Sequence, residues 1–219
     1  MKQEIPVAII CYATPHKRTH DFIASLVFNG FKPALIIAKP FEKLTGKRSE
    51  PSDKPDHFTI IPPRLISQNL SIEYLEGFYN DKNLIDTIKA KKIEWGIIAS
   101  ALILPPHFFS AFKKGVINFH PGIIPWNRGL GAVKRAIIKD IPQGFSVHII
   151  DHRIDAGTTL HRFVIKLKPY YTIRDTNLLI EEMQAALLPE VVKNALNGTY
   201  DNLLPLPPDI PPPEPYPDI

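Results

Sequence analysis

The sequence predicts an α/β protein built on an open, mostly parallel sheet with helices on both faces. Apolar, β-branched runs of strand length alternate along the chain with segments whose apolar residues recur at helical spacing. The runs are apolar throughout, as expected of parallel strands that are buried on both faces. Of the 219 residues, 44% are hydrophobic, which is enough for one sizeable core.

The N-terminal part of the chain begins this alternation. Ile5–Tyr12 and Pro33–Ala38 are apolar and β-branched, which predicts two buried strands. Between them, Thr14 and Pro15 are typical of a helix N-cap and first helical residue, and Gly30 is typical of a helix end. The later predicted elements are a surface loop over 40–57, a short strand over 57–62, a helix over 80–92, a strand with its continuation over 95–104, a short helix over 105–112, a strand over 115–119, a helix from 128 or 129 to about 139, strands over 145–150 and 158–167, and a long helix over 172–196.

The long final helix and the tail behind it differ sharply in composition. Helical spacing predicts that the buried face of the helix consists of Leu178, Leu179, Met183, Leu187 and Val191. Pro189 is expected to bend or divide the helix. From Leu204 onward prolines recur, which predicts a polyproline-II arm, a ligand for an SH3-type module, or disorder. We therefore expect one folded domain over 1–203 and a proline-rich tail over 204–219.

Composition limits the classes of function. A single cysteine, Cys11, excludes an internal disulfide and a cysteine-based metal site, and its apolar surroundings predict a buried, inert thiol. No apolar run approaches the roughly 18 residues of a membrane span, and Glu4 argues against a signal peptide, so we expect a cytoplasmic protein without a membrane partner. The net charge of +4 favours anionic ligands. The basic residues are scattered, so we do not expect nucleic-acid binding.

Three polar residues follow apolar runs and are predicted to share one cleft. Asn118 and His120 come where Gly115-Val116-Ile117 ends, and Asp155 follows a later run through a short loop. In open α/β sheets, ligands bind at the carboxyl ends of the strands, where such residues can converge. Pro121 and Pro125 restrict the segment behind His120, while Gly122 and Gly129 permit tight turns or close backbone approach.

An amide, an imidazole and a carboxylate suit a reaction that builds negative charge on oxygen and moves a proton. The Asn118 amide could donate to an oxyanion, and one such donor typically stabilises a transition state by roughly 3 kcal/mol. His120, when protonated, could donate as well or supply the proton of a leaving group. Asp155 is expected to raise the pKa of His120 and to assist proton transfer. An attacking amine is itself a nucleophile, so no nucleophilic Cys or Ser is required.

The order of these residues resembles the folate-dependent formyltransferases, which carry Asn-x-His-Pro-(Ser/Gly)-x-x-Pro and, later, Asp-x-Gly. The chain has Asn118-Phe119-His120-Pro121-Gly122-Ile123-Ile124-Pro125 and Asp155-Ala156-Gly157. The resemblance covers about residues 93–164, including Gly144-Phe145-Ser146-Val147-His148, which is similar to the family's Gly-x-(Ser/Thr)-x-His strand. It implies the Rossmann-like formyltransferase fold, 10-formyltetrahydrofolate as co-substrate, an amine acceptor and no metal.

The same resemblance implies which residues contact the folate. Leu102, Ile103 and Leu104 would line the pterin pocket, and Asp151, His152 and Arg153 would lie in the loop that closes it. The alternative for the run 102–104 is that it belongs to the hydrophobic core.

The acceptor is harder to predict. Where the purine-pathway enzymes have a glycine-rich loop for phosphate, this chain has His16, Lys17 and Arg18, which could meet a diphosphate at the start of the first helix. Trp126 and Arg128 are expected to contact the acceptor, although Trp126 could equally pack under its loop. No C-terminal OB-fold like that of the initiator-tRNA enzymes is expected. The run 124–132 is more similar to enzymes that formylate amino sugars on nucleotide carriers.

We therefore expect a nucleotide-linked amino sugar as the acceptor. The alternatives are another small amine, such as glycinamide ribonucleotide, and a non-catalytic module that binds folate or nucleotide. A homodimer is compatible with the sequence.

Overall fold

The computed structural model describes residues 3–40, 60–101 and 103–201. Leu102, nearly all of the loop predicted over 40–57 and the tail predicted over 204–219 lie outside these ranges. The described elements are β1 Gln3–Tyr12, α1 Lys17–Phe28, β2 Phe31–Lys39, α2 Pro63–Leu70, β3 Glu73–Glu76, α3 Lys82–Ala90, β4 Trp95–Ile98, α4 Pro106–Phe109, β5 Gly115–His120, α5 Ala132–Ile138, β6 Gly144–Ile149, β7 Thr158–Val164 and α6 Ile173–Leu196.

The strands form one seven-stranded sheet in the order β3-β2-β1-β4-β5-β6-β7. The first five strands of that order pair in parallel, and both β6 and β7 pair antiparallel to their neighbours. The predicted open, mostly parallel sheet is thus confirmed. The two antiparallel pairs matter for the site, because they decide from which direction the segment that carries Asp155 arrives.

Two buried clusters cover the two faces of the sheet, which confirms helices on both faces. One cluster joins α1, α2 and α6 to the sheet through residues such as Phe22, Ile66 and Val191. The other joins α3 and α4 through Leu84 and Phe108. Burial of this apolar surface is the main stabilising contribution, at about 25 cal/mol per Å² removed from water.

The predicted inert thiol is borne out by its surroundings. Cys11 is fully buried in the core of β1, and burial raises the pKa of the thiol to about 12. It therefore stays protonated and unreactive near neutral pH.

The helix α6 runs unbroken through Pro189, so the expected division does not occur. Proline lacks an N–H, which leaves the carbonyl four residues earlier, that of Ala185, without its helical donor. The Ser25 hydroxyl of α1 donates to this oxygen at 2.6 Å. A side chain from the neighbouring helix thus supplies the hydrogen bond that proline cannot.

The predicted buried face of α6 is wrong by one residue. The buried positions are Thr176, Ile180, Gln184, Leu188, Pro189, Val191, Val192 and Ala195. Leu178, Leu179, Met183 and Leu187 are half-buried, and only Val191 of the predicted set is fully covered. The polar members Thr176 and Gln184 are buried because each has a carbonyl partner, on Thr172 and Phe119 respectively.

Several predicted boundaries also change. Helix α1 begins at Lys17 rather than at Pro15, β4 ends at Ile98, and α5 begins at Ala132 after a left-handed Gly131. Residues 60–62 are not a strand, and the rest of the strand predicted over 57–62 lies outside the described residues. Helix α2 and strand β3 were not predicted. Among the described residues, no helix is both long and apolar enough to cross a membrane.

Candidate active site

The polar cluster lies on one face of β5 and β6. Side chains alternate along a strand, so Asn118 and His120 point to the same face of β5. The antiparallel register sets His148 opposite Asn118 and Ser146 opposite His120. Because β6 runs back toward the start of β5, Asp155 does not follow the carboxyl end of a parallel strand, as the sequence suggested. The loop over 150–157 instead folds across the sheet face and brings the carboxylate to the other two groups.

Asp155 contacts each of the other polar side chains of the cluster. Its Oδ1 accepts from the Asn118 amide at 3.3 Å and lies 3.6 Å from His148 Nε2. Its Oδ2 accepts from the backbone N–H of Gly129 at 2.9 Å and lies 3.3 Å from His120 Nδ1. The predicted convergence of amide, imidazole and carboxylate is therefore present in the fold.

The backbone and charge of Asp155 are both unusual. Its φ is +45°, in the left-handed region that Asp and Asn tolerate better than most residues. Burial raises the pKa of its carboxyl, but the hydrogen bond from His148, the nearby His120 and the Gly129 amide outweigh burial, so the pKa lies below its ordinary value. The group is thus a carboxylate near neutral pH.

His120 is buried with its two nitrogens in different surroundings. Nε2 lies 2.7 Å from the backbone oxygen of Asn127, which can only accept, so Nε2 carries the hydrogen. Nδ1 therefore faces Asp155 as the nitrogen that exchanges a proton. Burial lowers the pKa of His120 below its ordinary value, against the opposing attraction of Asp155. Asp155 raises this pKa, as expected, but desolvation of the imidazolium lowers it more, so the net shift is downward.

His148 belongs to the cluster and was not among the predicted site residues. Its Nε2 lies 3.2 Å from the Asn118 amide nitrogen, and its Nδ1 is buried without a hydrogen-bond partner among the described residues. The Asn118 amide donates one hydrogen to Asp155, and His148 can accept the other only in the tautomer that leaves Nε2 without a hydrogen. The Asn118 amide can donate to an oxyanion only if its contact with His148 or with Asp155 breaks. The signal available in the sequence was the period of two that pairs His148 with Asn118 once the strands are in register.

Two glycines fit the roles expected of them. A side chain on Gly122 would overlap the carbonyl oxygen of Asn127 and lie 2.8 Å from His120 Nε2, so glycine is needed where these groups meet. Gly129 has φ +81° and gives its N–H to Asp155. The segment behind His120 thus holds both catalytic candidates through its own backbone.

Arginines tie this segment to the loop that carries Asp155. Arg128 donates through Nε and Nη2 to the carbonyl of Ile154, at 2.9 and 2.7 Å. Arg135 donates to the carbonyls of Arg128 and Gly129 and to the side-chain oxygen of Asn127. These bonds fix the two loops relative to each other around the carboxylate.

The predicted packing of Trp126 under its loop is partly realised. The Arg162 guanidinium lies over the indole ring at 5.6 Å, and its Nε donates to the carbonyl of Ile124 at 2.5 Å. The ring is half-buried and keeps one part of its surface open to solvent.

The residues expected around the pterin fall into two groups. Leu104 is 5% exposed and packs in the core with Phe108, whereas Ile103 is 71% exposed. Leu102 lies outside the described residues. In the loop after β6, Asp151 pairs with Arg153, and both His152 and Arg153 are exposed.

The three basic residues at the start of α1 do not act alike. Lys17 forms an ion pair with Asp21, and His16 has a buried Nδ1 without a partner among the described residues. The Arg18 side chain turns inward, and its Nη2 donates to the carbonyl of Phe119 at 2.6 Å. Burial lowers the pKa of Arg18 to about 10, which leaves it charged.

Arg18 and Gln184 together hold the end of β5. Strand β4 ends at Ile98, which pairs with Asn118, so the carbonyl of Phe119 has no partner on β4. The Gln184 amide donates to the same oxygen at 3.3 Å. Two helices therefore fix the peptide group that joins Phe119 to His120.

Among the described residues, an amide, an imidazole and a carboxylate meet at one face of an open α/β sheet without a Cys or Ser nucleophile in hydrogen-bond contact with them. Such a set suits group transfer to an external nucleophile. Residues 46–192 match the family model described as formyl transferase. That range covers more than half of the chain, so the chain belongs to the formyl transferase family.

Curated relatives come from two branches of this family. A methionyl-tRNA formyltransferase of Borreliella burgdorferi is 24% identical over 141 residues, covering 64% of this chain and 45% of the relative. A phosphoribosylglycinamide formyltransferase of Haemophilus influenzae is 24% identical over 161 residues, covering 69% of this chain and 76% of the relative. The chain spans about half the length of the methionyl-tRNA formyltransferases that it matches.

Solved structures agree on the fold. A phosphoribosylglycinamide formyltransferase of Anaplasma phagocytophilum superposes with a TM-score of 0.68 at 15% identity, covering 87% of this chain and 86% of that one. A sugar N-formyltransferase of a Shewanella species gives 0.64 at 19% identity, covering 93% and 73%.

Proposed function

We propose that this chain is an N-formyltransferase that moves the formyl group of 10-formyltetrahydrofolate to the amine of a nucleotide-linked amino sugar. The observation that supports it most directly is the convergence of Asn118, His120 and Asp155, which are separated in sequence and joined by contacts of 3.3 Å. Membership of the formyl transferase family supplies the class of reaction.

The geometry gives each residue a distinct task. The acceptor amine would form a bond to the formyl carbon, the bond from that carbon to the folate nitrogen would break, and tetrahydrofolate would leave with the proton that the amine gives up. The Asn118 amide would meet the negative charge that develops on the formyl oxygen during this step. When Asn118 turns from Asp155 to the oxyanion, the Asp155 carboxylate still accepts the hydrogen bond from the Gly129 N–H. His120 takes or returns a proton at Nδ1, because Nε2 is held by the Asn127 carbonyl. One preorganised donor is typically worth about 3 kcal/mol of transition-state stabilisation.

The described residues are compatible with the co-substrate, which when bound supplies an activated formyl group. A pterin needs hydrogen-bonding groups beside an apolar wall, and the family resemblance assigns these roles to Ile103, which is exposed, and to the loop over 151–153. Leu104 instead packs in the hydrophobic core.

The acceptor assignment rests on sequence similarity in 124–132 and on the solved sugar N-formyltransferase of the same fold. The relatives named as phosphoribosylglycinamide formyltransferases make glycinamide ribonucleotide the second candidate. Thermal shifts with nucleotides and nucleotide sugars, with and without a folate analogue, would separate the two, because a ligand that binds only the native state raises the melting temperature.

Turnover of purified variants tests the catalytic roles. We expect Asn118→Ala and His120→Ala each to lower kcat on the order of a hundredfold or more while the circular dichroism spectrum is retained. Asn177→Ala and His107→Ala, which replace exposed residues on α6 and α4, are the matched controls. Release of tetrahydrofolate is the readout, and near-normal kcat in either folded site variant would refute the roles assigned to it.

A further inference from the structure

An open, basic cavity adjoins the two loops that meet at Asp155. It has a volume of about 340 Å³, and its wall includes Trp126, Arg128, Gly129, Arg135, Lys139 and Ile154. Three of these residues are cationic and none is acidic. The cavity is large enough for a diphosphate or a pair of carboxylates.

The positive charge of this cavity is not neutralised by the fold. The hydrogen bonds of Arg128 go to the carbonyl of Ile154, and those of Arg135 go to two carbonyls and the amide oxygen of Asn127. All of these acceptors are neutral. Within 3–40, 60–101 and 103–201, neither arginine nor Lys139 forms an ion pair with a carboxylate. Fixed cations in a concave site focus the field and attract anions.

The cavity is also joined directly to the catalytic centre. Gly129, in its wall, gives its N–H to Asp155, and Ile154, also in its wall, precedes Asp155 in the chain. A ligand group held here therefore lies next to the loop pair that carries the carboxylate. Because guanidinium groups match the geometry of oxyanions, the arginines suit phosphate or carboxylate rather than a neutral group.

We propose that this cavity is an oxyanion subsite that holds an anionic group of one of the two substrates. Within the proposed function, the group is either a phosphate of the acceptor or a glutamate carboxylate of the folate. The subsite would position that substrate through Arg128 and Lys139, while Arg135 braces the wall. This assignment places the anion away from the start of α1, where Lys17 is paired and Arg18 is turned inward.

Direct binding tests the subsite without any turnover. Pyrophosphate is titrated at low salt while tryptophan fluorescence is followed, since Trp126 lines the cavity and Trp95, the other tryptophan, is buried. Trp126→Phe should abolish the signal and so identify its source. We expect Lys139→Met to weaken binding by about tenfold, and the effect to shrink as salt screens the charges. Lys134→Met is the matched control, an exposed lysine on α5 that does not line the cavity.

Kinetics and competition then distinguish the two sources of the anion. If the acceptor supplies it, Lys139→Met raises KM for the acceptor and pyrophosphate competes with the acceptor. If the folate supplies it, the KM for the folate rises instead, and the effect is absent with a formylated folate that lacks glutamate. Either result supports the subsite.

Three results would overturn the subsite. The first is no fluorescence response at low salt. The second is equal binding to the Lys139→Met and Lys134→Met variants. The third is pyrophosphate binding that competes with neither substrate and leaves both KM values unchanged. The subsite and the proposed function can fail separately. If the wild-type protein binds pyrophosphate through Trp126 and Lys139 but transfers no formyl group, the proposed function is refuted and the subsite is not. Competition is then measured against binding of a folate analogue, because no KM exists.

Discussion

His120 presents one nitrogen to a neutral carbonyl and the other to a carboxylate, and this asymmetry determines where a proton can move. Asp155 attracts the imidazolium, while burial opposes it. The balance between these two effects, rather than either one, sets the pH range over which His120 is neutral.

Replacing Asp155 with Asn tests this balance. Asn tolerates the φ of +45°, so the fold should be retained. Loss of the carboxylate removes the attraction that holds up the His120 pKa, so this pKa falls further. We expect the limb of the kcat/KM profile that reports His120 to move to lower pH and the plateau to drop. A profile with unchanged limbs and height would make Asp155 structural.

Gly122→Ala tests how tightly the backbone holds His120. The added methyl overlaps the Asn127 carbonyl, so either this oxygen or the imidazole must move. A displacement of about 1 Å at a catalytic group can cost on the order of a hundredfold in rate. We expect a folded protein with reduced kcat. Gly131→Ala, where nothing lies near a new Cβ but φ is +69°, controls for backbone strain alone and should affect stability more than kcat.

Among individual residues, the sequence predicted those site residues that stand in a short motif. It missed the contacts that depend on how neighbouring strands pair. Asn118, His120 and Asp155 each stand in a short recognisable pattern. His148 ends the Gly-x-(Ser/Thr)-x-His strand, but its contact with Asn118 depends on the antiparallel pairing of β6 with β5, and the inward turn of Arg18 depends on where β4 ends. Neither fact can be read from local spacing.

Helix α1 supplies a hydrogen bond that helix α6 lacks because of Pro189. If Ser25 supplies the hydrogen bond that Pro189 cannot, Ser25→Ala leaves a half-buried carbonyl unpaired and should cost about 1 kcal/mol of unfolding free energy. In a Pro189→Ala background the helix regains its own N–H donor, so the same substitution should cost less. Urea unfolding of the four proteins measures the difference, and equal costs in both backgrounds would contradict the compensation.

The hold of α1 and α6 on the end of β5 leads to a second prediction. Arg18→Met removes the donor at 2.6 Å from the carbonyl between the two catalytic candidates. We expect kcat to fall at least tenfold with little change in acceptor KM, because positioning is lost rather than substrate contact. Lys17→Ala tests the earlier expectation of a phosphate contact at the start of α1. Because Lys17 is paired with Asp21, we expect acceptor KM to stay unchanged, and a salt-dependent rise would instead support that contact. Arg64→Met, an exposed arginine on α2, is the control. A rise in acceptor KM for Arg18→Met would instead assign this arginine to the substrate.

Element prediction succeeded where local pattern dominates. The long apolar strands and α3 lie close to their predicted ranges. Strand β3 was missed because it is four residues long with a glutamate at each end, and its stability comes from pairing with β2. The buried face of α6 was displaced because two of its members are polar residues that only tertiary partners make compatible with burial.

The whole molecule should lose stability on mild acidification. Burial lowers the pKa of His16, His120 and His161 in the folded state. The unfolded chain takes up protons at these residues near pH 6.5, roughly, and the folded chain does so only at lower pH. Unfolding is therefore favoured as the pH falls through this window. Glu181, whose pKa is raised by burial, opposes the trend with one group against three.

The midpoint of urea unfolding at about pH 7.5 and about pH 5.5 measures this effect. We expect a lower midpoint at the acidic pH and a smaller difference in a His16→Asn variant, because one of the three contributions is removed. A midpoint that stays constant or rises on acidification would contradict the prediction.

The hydrogen bond donated by the backbone N–H of Gly129 also makes the rate at which the two loops separate measurable. Its only described acceptor is the carboxylate of Asp155, on a different loop, and not a carbonyl of its own turn. Its hydrogen therefore exchanges with solvent only when the two loops separate. The exchange rate of this single amide, measured by NMR in the free protein, would report how often the catalytic cluster comes apart. Ligands that close the site should slow it, even if they never touch Gly129.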